Sequence, residues 1–463
     1  MTTFTPHDYQ RFALQWLIQR TILDQQPGGA YFLDPGLGKS ATSLAWVKLL
    51  KDLGLAQKTL IVAPLRVIYS VWPQECRKWS QFKDLRCSIV HGSATKRLAA
   101  LATDADLYLI NPEGVGWLRD TFANRPVPFQ TLIVDESSKF KSWSAKRTKA
   151  LRKMLDQFIY RLILTGTPSP NSLQDLFPQV FIVDQGKALG KNISQFRNRY
   201  FFRGGYGGYQ WKPVEGADNS IQTKIEPLCL RLSAADHLDL PELLVNDVWV
   251  DLPDKTLRAY KQLERELFLE LDSGEELTAS GAGAKYTACR QVANGGIYGD
   301  DGEAIAVHDA KIEAAGDIAD ELQGKPVLIA FQFKHDLERL RKRFPKLPSI
   351  DGRCKPKDAD KLIEEWNAGS LPALAVQPQS LSHGINMQSG PGRDIIWLGV
   401  TDNLETYLQL NARIHRQGVD GQVRIHRILA SRTVDEAIVD RIEKKDRDQS
   451  SLLQSLSEYR KRA

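Results

Sequence analysis

The clearest pattern along the chain is a series of short apolar runs, each bounded by residues that favour turns. Uninterrupted runs of Val, Ile and Leu are typical of strands that are buried on both faces of a parallel sheet. Amphipathic segments of helical length, at 40–53 and 145–158, lie between them. The runs form a first series at 30–33, 59–62, 107–110, 131–134 and 161–164, and a second at 327–331, 373–376, 394–398 and 424–429. The pattern therefore predicts an α/β protein with two mostly parallel sheets flanked by helices.

The pattern between the two series changes to helical stretches and loops. Apolar spacing predicts a helix at 256–271, and the Gly, Ala and Ser content of 273–284 predicts a flexible loop. Each predicted sheet with its helices is called a lobe below. We expect the tail at 437–463 to form a helix on the second lobe. The expected domains are a first lobe at 1–225 with an insertion at about 170–225, an interlobe connection with a helical insertion at 226–310, and a second lobe at 311–463.

Composition sets the class of protein but not its activity. With 463 residues, 42% hydrophobic and 25% charged, the chain is predicted to be globular with two or more domains. No apolar stretch approaches the roughly 18 to 20 residues of a membrane-spanning helix, and the first residues lack a signal-peptide pattern, so we expect a cytoplasmic protein without a membrane partner. The five scattered cysteines predict reduced thiols rather than a zinc site. The net charge of +6 permits an anionic partner without requiring one.

The segment at 34–40, Asp-Pro-Gly-Leu-Gly-Lys-Ser, follows a predicted strand and begins a predicted helix. This context is typical of a phosphate-binding loop, in which backbone N–H groups surround the phosphates. Lys39 would bind the β and γ oxygens, and the Ser40 hydroxyl would ligate Mg²⁺. Leu33 stands where the common pattern has its first glycine, so a glycine-rich turn before an ordinary helix is the alternative interpretation.

Acidic and hydroxyl side chains follow the last two predicted strands of the first series. Asp135 and Glu136 come directly after 131–134, at the strand end where ligands bind in open α/β sheets. Asp135 would hold Mg²⁺, and Glu136 would orient and deprotonate the attacking water. Thr165 and Thr167 follow 161–164 and could relay hydrogen bonds from the acidic pair. The alternatives are a solvated strand end for the first pair and a plain turn for the second.

The segment at 409–418 in the second series carries two arginines three residues apart. On a helix, Arg413 and Arg416 would project from one face and reach the same anion. Such cations stabilise the charge that spreads over a transferring phosphoryl group. Surface arginines paired with acids are the alternative, but they explain neither Gln409 nor the glycine at 418.

With these segments in order, the sequence resembles the Swi/Snf-like family of superfamily II helicases and DNA translocases, and its compact bacteriophage and prophage members in particular. The resemblance covers almost the whole chain. Residues 34–40 are similar to motif I, and 135–138 to the DEAH box of motif II, with Ser138 in place of histidine. Residues 62–64 are similar to motif Ia, 380–387 to motif V and 409–418 to motif VI. Trp72, Glu75 and Trp79 match a spacing typical of this branch, as does 230–233.

The resemblance implies a role for each matching residue. The nucleotide-binding set is Gln10, Pro35, Gly36, Leu37, Gly38, Lys39, Ser40 and Gln409, with Gln10 recognising adenine. The residues implied to couple the nucleotide site to its neighbours are Thr165 and Thr167, after the strand at 161–164, and Gly384 and Asn386 of motif V. The candidate nucleic-acid contacts are Arg66, His91, Asn111 and Ser382. Tyr206, Tyr209 and Trp211 could stack on bases, although aromatic packing within a hairpin is the favoured interpretation.

The resemblance further implies two RecA-like lobes with ATP and Mg²⁺ in the cleft between them and double-stranded DNA across both. Nucleotide binding would close the cleft and hydrolysis would reopen it, so that the protein advances along its track. Three alternatives remain: a strand-separating DNA or RNA helicase, an ATP-switched clamp that does not translocate, and a small-molecule kinase, which the second lobe disfavours. An unidentified protein could serve as a loading partner.

Overall fold

The computed structural model describes residues 2–204, 210–272, 279–299, 301–381 and 386–462. The chain divides into two compact units. The first contains the residues up to Leu238 together with those from Lys445 onward, and the second runs from Asp239 to Lys444. No helix within the described ranges has the length and apolar character needed to cross a membrane.

The first unit is built on alternating strands and helices. Its strands are β1 (Gly28–Leu33), β2 (Thr59–Val62), β3 (Cys87–Ile89), β4 (Leu107–Ile110), β5 (Thr131–Asp135), β6 (Tyr160–Thr165), β7 (Phe201–Gly204), β8 (Gln210–Pro213) and β9 (Cys229–Leu232). Its helices are α1 (Asp8–Ile18), α2 (Lys39–Asp52), α3 (Leu65–Tyr69), α4 (Val71–Lys78), α5 (Ala94–Ala102), α6 (Val115–Thr121), α7 (Lys146–Arg152), α8 (Leu176–Asp184), α9 (Ile193–Tyr200), α10 (Ala217–Ile225) and α11 (Ala234–His237).

A seven-stranded sheet in the order β3-β4-β2-β5-β6-β1-β9 forms the centre of this unit. All of its pairings are parallel. The central strands are apolar because both of their faces are covered, and every residue of β1, β2, β4, β5 and β6 is buried. Since β6 pairs with both β1 and β5, the segments that follow these three strands emerge at one edge of the sheet.

The second unit repeats this construction. Its strands are β10 (Leu244–Val250), β11 (Gly296–Tyr298), β12 (Ala304–Ala306), β13 (Val327–Ala330), β14 (Ser349–Ile350), β15 (Ala373–Val376), β16 (Asp394–Trp397) and β17 (Arg424–Ala430). Its helices are α12 (Asp254–Asp272), α13 (Ala279–Asn294), α14 (Ala310–Glu321), α15 (Lys334–Arg343), α16 (Pro356–Asn367), α17 (Leu404–Asn411) and the start of α18 (Val434–Arg462). The parallel six-stranded sheet has the order β10-β17-β16-β13-β15-β14.

The predicted fold class is confirmed: each unit is a RecA-like lobe with a parallel sheet between helices. The unit boundary at Leu238 differs from the predicted end of the first lobe at 225. Strand β9 completes the first sheet and β10 the second, although both fall within the predicted connection at 226–310. Polar residues interrupt these two strands, at Arg231 and at Asn246, so neither stands out as an apolar run.

Three local expectations also differ from the structure. Residues 279–284 begin α13 rather than continuing a loop, since alanine is a strong helix former, and 273–278 lie outside the described residues. The helix expected at 145–158 is the shorter α7, followed by a 3₁₀ turn at Leu155–Gln157. The tail is helical as expected, but from Lys445 onward it groups with the first unit.

Candidate nucleotide site and nucleic-acid interface

The predicted phosphate loop connects β1 to α2. Gly36 and Gly38 have φ angles of 92° and 74°, in the left-handed region that glycine adopts without steric cost. A Cβ atom on Gly38 would also lie 2.2 Å from the side-chain nitrogen of Gln10. The tight turn allows α2 to begin at Lys39, so the N–H groups of its first turn, which have no partner within the helix, are oriented toward the loop.

The side chain of Gln10 contacts this loop directly. Its Nε2 donates to the carbonyl of Leu37 at 3.3 Å, and its Oε1 accepts from the backbone N–H of His7 at 3.0 Å. Gln10 is buried on α1. The predicted adenine-recognising glutamine therefore contacts the predicted phosphate loop directly.

The side chains of Lys39 and Asp34 fix the phosphate loop through contacts with its first residues and with the segment that includes β9. Lys39 Nζ donates to the carbonyl of Leu33 at 2.8 Å. Burial lowers the pKa of Lys39, while the charges of Glu136, Asp135 and Asp34 oppose that change. The Asp34 carboxylate forms an ion pair with Arg231 of β9 at 2.7 Å and accepts the N–H of Ala234 at 2.9 Å.

The predicted Mg²⁺ ligand, Asp135, is the last residue of β5 and is only 8% exposed. Burial, with a contribution from the charge of Glu136, raises its pKa to about 7, while Lys39 and Trp72 act in the opposite direction. Asp135 Oδ2 accepts the indole N–H of Trp72 at 3.0 Å, and Oδ1 accepts the N–H of Glu136 at 3.1 Å. The carboxylate is thus buried and oriented by two hydrogen-bond donors, and the charge of Lys39 partly offsets the rise of its pKa.

Glu136, the predicted general base, has a left-handed backbone conformation with φ 55° and ψ 59°. This region is uncommon for a residue with a Cβ atom and costs about 1–2 kcal/mol. The strained turn makes the chain change direction directly after β5, and a 3₁₀ turn at Ser137–Phe140 follows.

The side chain of Gln179 on α8 connects this turn to the predicted coupling segment. The hydroxyl of Ser137 donates to Gln179 Oε1 at 2.7 Å, and Gln179 Nε2 donates to the carbonyl of Pro168 at 2.6 Å. Within the coupling segment, Thr165 Oγ1 accepts the N–H of Thr167 at 3.0 Å. The Thr167 hydroxyl oxygen is buried and has no hydrogen-bond partner among the described residues.

The donor set fits a nucleotide with Mg²⁺ better than a metal held by protein side chains alone. Among the described residues, no group of three or more His, Cys, Asp or Glu side chains could hold a metal ion. Mg²⁺ usually binds one or two carboxylates and completes its coordination with water and substrate phosphates. The buried carboxylate of Asp135 and the hydroxyl of Ser40 match that requirement.

The predicted motif VI residues lie at the end of α17 in the second unit. The helix ends at Asn411, so Arg413 and Arg416 lie in a turn and not on one helical face as expected. Two tertiary hydrogen bonds hold the chain at this point: Trp397 Nε1 donates to Asn411 Oδ1 at 3.0 Å, and Met387 N donates to the carbonyl of Arg413 at 3.1 Å.

The turn at the end of α17 brings motifs V and VI together. The guanidinium of Arg416 donates to Asn386 Oδ1, and burial lowers the pKa of Arg416. Gln409 is buried on α17 and donates to Glu405 at 3.3 Å. The other two predicted residues of the motif V segment, Ser382 and Gly384, lie outside the described residues.

The predicted nucleic-acid contacts of the first unit differ in their exposure. Arg66 lies on α3, whose last residue, Tyr69, is exposed and hydrogen-bonds through its hydroxyl to His91 Nδ1 at 3.0 Å. Asn111, in contrast, is buried and donates to Glu113 at 2.9 Å. The candidate interface is therefore the surface of Arg66, Tyr69 and His91.

The aromatic hairpin β7–β8 uses Trp211 for packing. The indole ring contacts the hydrophobic core, and the guanidinium groups of Arg197 and Arg203 lie over it at 5.4 Å and 5.3 Å. These contacts agree with the packing interpretation for Trp211. Tyr206 and Tyr209 lie outside the described residues.

Two family models match the chain. The model of the SNF2-related domain matches residues 9–294, and the model of the helicase conserved C-terminal domain matches residues 310–418. The chain belongs to the SNF2-related family. The first match contains the phosphate loop and the acidic pair, and the second contains Arg413 and Arg416, so both halves of this SNF2-related ATPase carry their expected motifs.

Relatives of this SNF2-related chain include a phage protein and a mouse protein. Protein p41 of Acyrthosiphon pisum secondary endosymbiont phage 1 is 38% identical over 98% of this chain and 99% of its own length. Chromodomain-helicase-DNA-binding protein 1-like of Mus musculus is 24% identical over 95% of this chain but 49% of its own length. The chain spans about half or less of the length of such cellular relatives. A solved structure, the SWI2/SNF2 ATPase core of Sulfolobus solfataricus in complex with dsDNA, covers 99% of this chain and 97% of its own with 20% identity and a TM-score of 0.46.

Several residues of the site were not assigned a role from the sequence. Trp72 was marked only by a family spacing, and Arg231 by its place in 230–233. Gln179 and Tyr69 gave no signal, because a lone glutamine in an apolar helix and a lone tyrosine after motif Ia are compatible with many roles. Their function in this SNF2-related ATPase follows only from their contacts.

Proposed function

We propose that this SNF2-related ATPase hydrolyses ATP with Mg²⁺ to move along double-stranded DNA. One observation carries the proposal: a lysine, a buried aspartate and a glutamate in a strained turn lie at the ends of β1 and β5, on either side of β6. Burying such a group of charges costs free energy, and a bound nucleotide with its cation would compensate that cost.

The residues of the first unit divide the chemistry of hydrolysis. Lys39 and the N–H groups at the start of α2 bind the phosphate oxygens. Ser40 and Asp135 would hold Mg²⁺, which when bound neutralises charge on those oxygens. Glu136 orients the attacking water and accepts its proton. For Arg413 and Arg416 of the second unit, the family resemblance implies a role in stabilising the charge that develops on the transferring phosphoryl group.

The surface of Arg66, Tyr69 and His91 is the proposed contact with DNA in the first unit. Arg66 can donate hydrogen bonds to phosphate oxygens, and the hydrogen-bonded pair of Tyr69 and His91 keeps one donor for the same purpose. Such contacts position a protein on nucleic acid without reading its sequence. Binding to duplex DNA should therefore be independent of sequence and should weaken with rising salt concentration. Arg66→Ala should weaken binding at each salt concentration and reduce the steepness of the salt dependence.

The test of the ATPase compares hydrolysis rates without nucleic acid and with single-stranded DNA, duplex DNA and RNA. We expect the strongest stimulation by duplex DNA. Lys39→Ala and Glu136→Gln should each nearly abolish hydrolysis, with Glu136→Gln retaining ATP binding, and Arg416→Ala should bind ATP but hydrolyse little. Wild-type turnover in Glu136→Gln would remove the proposed base, and equal rates with and without nucleic acid would contradict the proposed track.

Movement and strand separation require separate measurements. Displacement of a triplex-forming strand from duplex DNA reports translocation, whereas release of a strand from a forked duplex reports unwinding. We expect ATP-dependent triplex displacement without release from the fork. Release from the fork would favour a strand-separating helicase, and stable ATP-dependent binding without either activity would favour a clamp.

A further inference from the structure

Helix α4 places one aromatic side chain against the acidic pair. Trp72 is completely buried, and its indole N–H donates to Asp135 Oδ2 at 3.0 Å. The other oxygen of the same carboxylate, Oδ1, accepts the backbone N–H of Glu136 at 3.1 Å. Each carboxylate oxygen has two acceptor positions, so each keeps one for a further ligand.

We infer that Trp72 is a positioning residue that fixes the orientation of the Asp135 carboxylate for a divalent cation. The inference rests on the proposed function, because it concerns how the same site binds Mg²⁺ with the nucleotide. An aspartate carboxylate rotates over a broad range about its last torsion angle. A donor on each oxygen restricts that rotation, and outer partners of this kind orient metal-binding side chains.

The indole is itself held by the packing of α4. Trp72 and Cys76, one helical turn apart, are both buried. At the end of the helix, Trp79 Nε1 donates to Glu75 Oε2 at 2.7 Å, and the ring of Trp79 packs against Phe4 with centroids 5.3 Å apart. Because the helix is fixed along its length, the indole N–H has a defined position relative to β5.

The test removes the N–H while retaining an aromatic ring. Trp72→Phe leaves Asp135 Oδ2 without its indole donor. The matched control is Trp46→Phe, since Trp46 is also completely buried in the first unit but donates its indole N–H to Thr21 Oγ1 at 3.1 Å. Binding of a fluorescent ADP analogue is measured in the full-length protein, first in EDTA and then as a function of Mg²⁺ concentration.

We expect Trp72→Phe to bind the analogue in EDTA as the wild type does, but to need about 10- to 100-fold more Mg²⁺ for the Mg²⁺-dependent gain in affinity. Trp46→Phe should retain the wild-type Mg²⁺ requirement. The same Mg²⁺ requirement in both variants and the wild type would overturn the inference. A wild-type protein that binds the analogue without any effect of Mg²⁺ would instead contradict the metal site of the proposed function.

A second replacement separates the hydrogen bond from the packing of the ring. Incorporation of 3-benzothienylalanine at Trp72 replaces the N–H by sulfur with little change of shape. If Trp72→Phe fails to fold, the protein with 3-benzothienylalanine in place of Trp72 provides the test. We expect it to show the raised Mg²⁺ requirement with a thermal stability close to that of the wild type, and a wild-type requirement would overturn the inference.

Discussion

Ser137 of motif II and Gln179 of α8 form a buried hydrogen bond of 2.7 Å. The other end of the Gln179 side chain donates to the carbonyls of Pro168 and Asp175, at 2.6 Å and 2.7 Å. Ser138 stands where histidine is usual in the family, so the sequence left open how motif II contacts its neighbours. In this structure a glutamine from α8 makes that connection.

Gln179→Leu should therefore destabilise the first unit and slow hydrolysis. The substitution leaves the Ser137 hydroxyl and the Pro168 carbonyl without this partner, at about 1–3 kcal/mol for each buried group. Thermal denaturation and ATPase rates measure the two effects. Ser137→Ala removes only one donor and should cost less. In a double-mutant cycle, Ser137→Ala should cost less in the Gln179→Leu background than in the wild type, and additive costs would contradict a direct link.

Gln10→Ala should weaken nucleotide binding with little loss of stability. The substitution removes the hydrogen bond to the Leu37 carbonyl and opens space beside Gly38, so the phosphate loop loses a lateral support. A net hydrogen-bond contribution of about 0.5–1.5 kcal/mol corresponds to a several-fold loss of affinity. Binding of a fluorescent ADP analogue measures this loss of affinity. The exposed Gln15 lies on the same helix, and Gln15→Ala should bind as the wild type does; equal affinities of the two variants would refute the prediction.

The left-handed conformation of Glu136 leads to a prediction about stability. Glycine adopts a φ of 55° without a Cβ clash, whereas alanine retains the clash. Glu136→Gly should therefore unfold at a higher temperature than Glu136→Ala, by about 1 kcal/mol in stability, although neither variant should hydrolyse ATP. Thermal denaturation of the two nucleotide-free variants is the measurement. Greater stability of Glu136→Ala would show that the residue is not held in the left-handed region in solution.

Sequence patterns predicted the two sheets because their central strands are continuous apolar runs, such as 59–62 and 107–110. They missed β9 and β10, where an arginine and an asparagine interrupt the pattern, and the short strand β3. The edge strands carry polar residues because one side of an edge strand has no neighbouring strand, so their composition resembles that of a loop.

The site residues were predicted where their spacing along the chain reflects their chemistry. Lys39 follows a predicted strand after a five-residue loop and Glu136 comes at the end of another, so the register of the sheet brings them together. The contacts of Trp72 and Gln179 join residues 63 and 42 positions apart. Periodicity carries no information about such partners, because any buried helix can present a tryptophan or a glutamine toward a sheet.

A buried histidine predicts how stability depends on pH in the second unit. His308 Nε2 lies 2.8 Å from the carbonyl of Val292, and Nδ1 accepts the N–H of Ala310 at 3.3 Å, so the ring is neutral with its proton on Nε2. Burial lowers the pKa of His308 below 6.5, and the nearby charges of Arg339 and Lys311 act in the same direction. The unfolded chain therefore binds a proton more readily than the folded one, and stability is lost as pH falls from about 6.5 through the folded-state pKa.

His308→Gln removes this group while keeping an amide that can donate to a carbonyl. Its melting temperature should fall less steeply than that of the wild type between pH 7 and pH 5. The slopes of the free energy of unfolding against pH should differ by at most about 1.4 kcal/mol per pH unit. Above pH 7 the two curves should run parallel, since His308 is neutral in both the folded and the unfolded state there. This separates the loss of a titrating group from the loss of packing, which lowers the melting temperature equally at every pH. Parallel curves over the whole range would contradict a depressed pKa of His308.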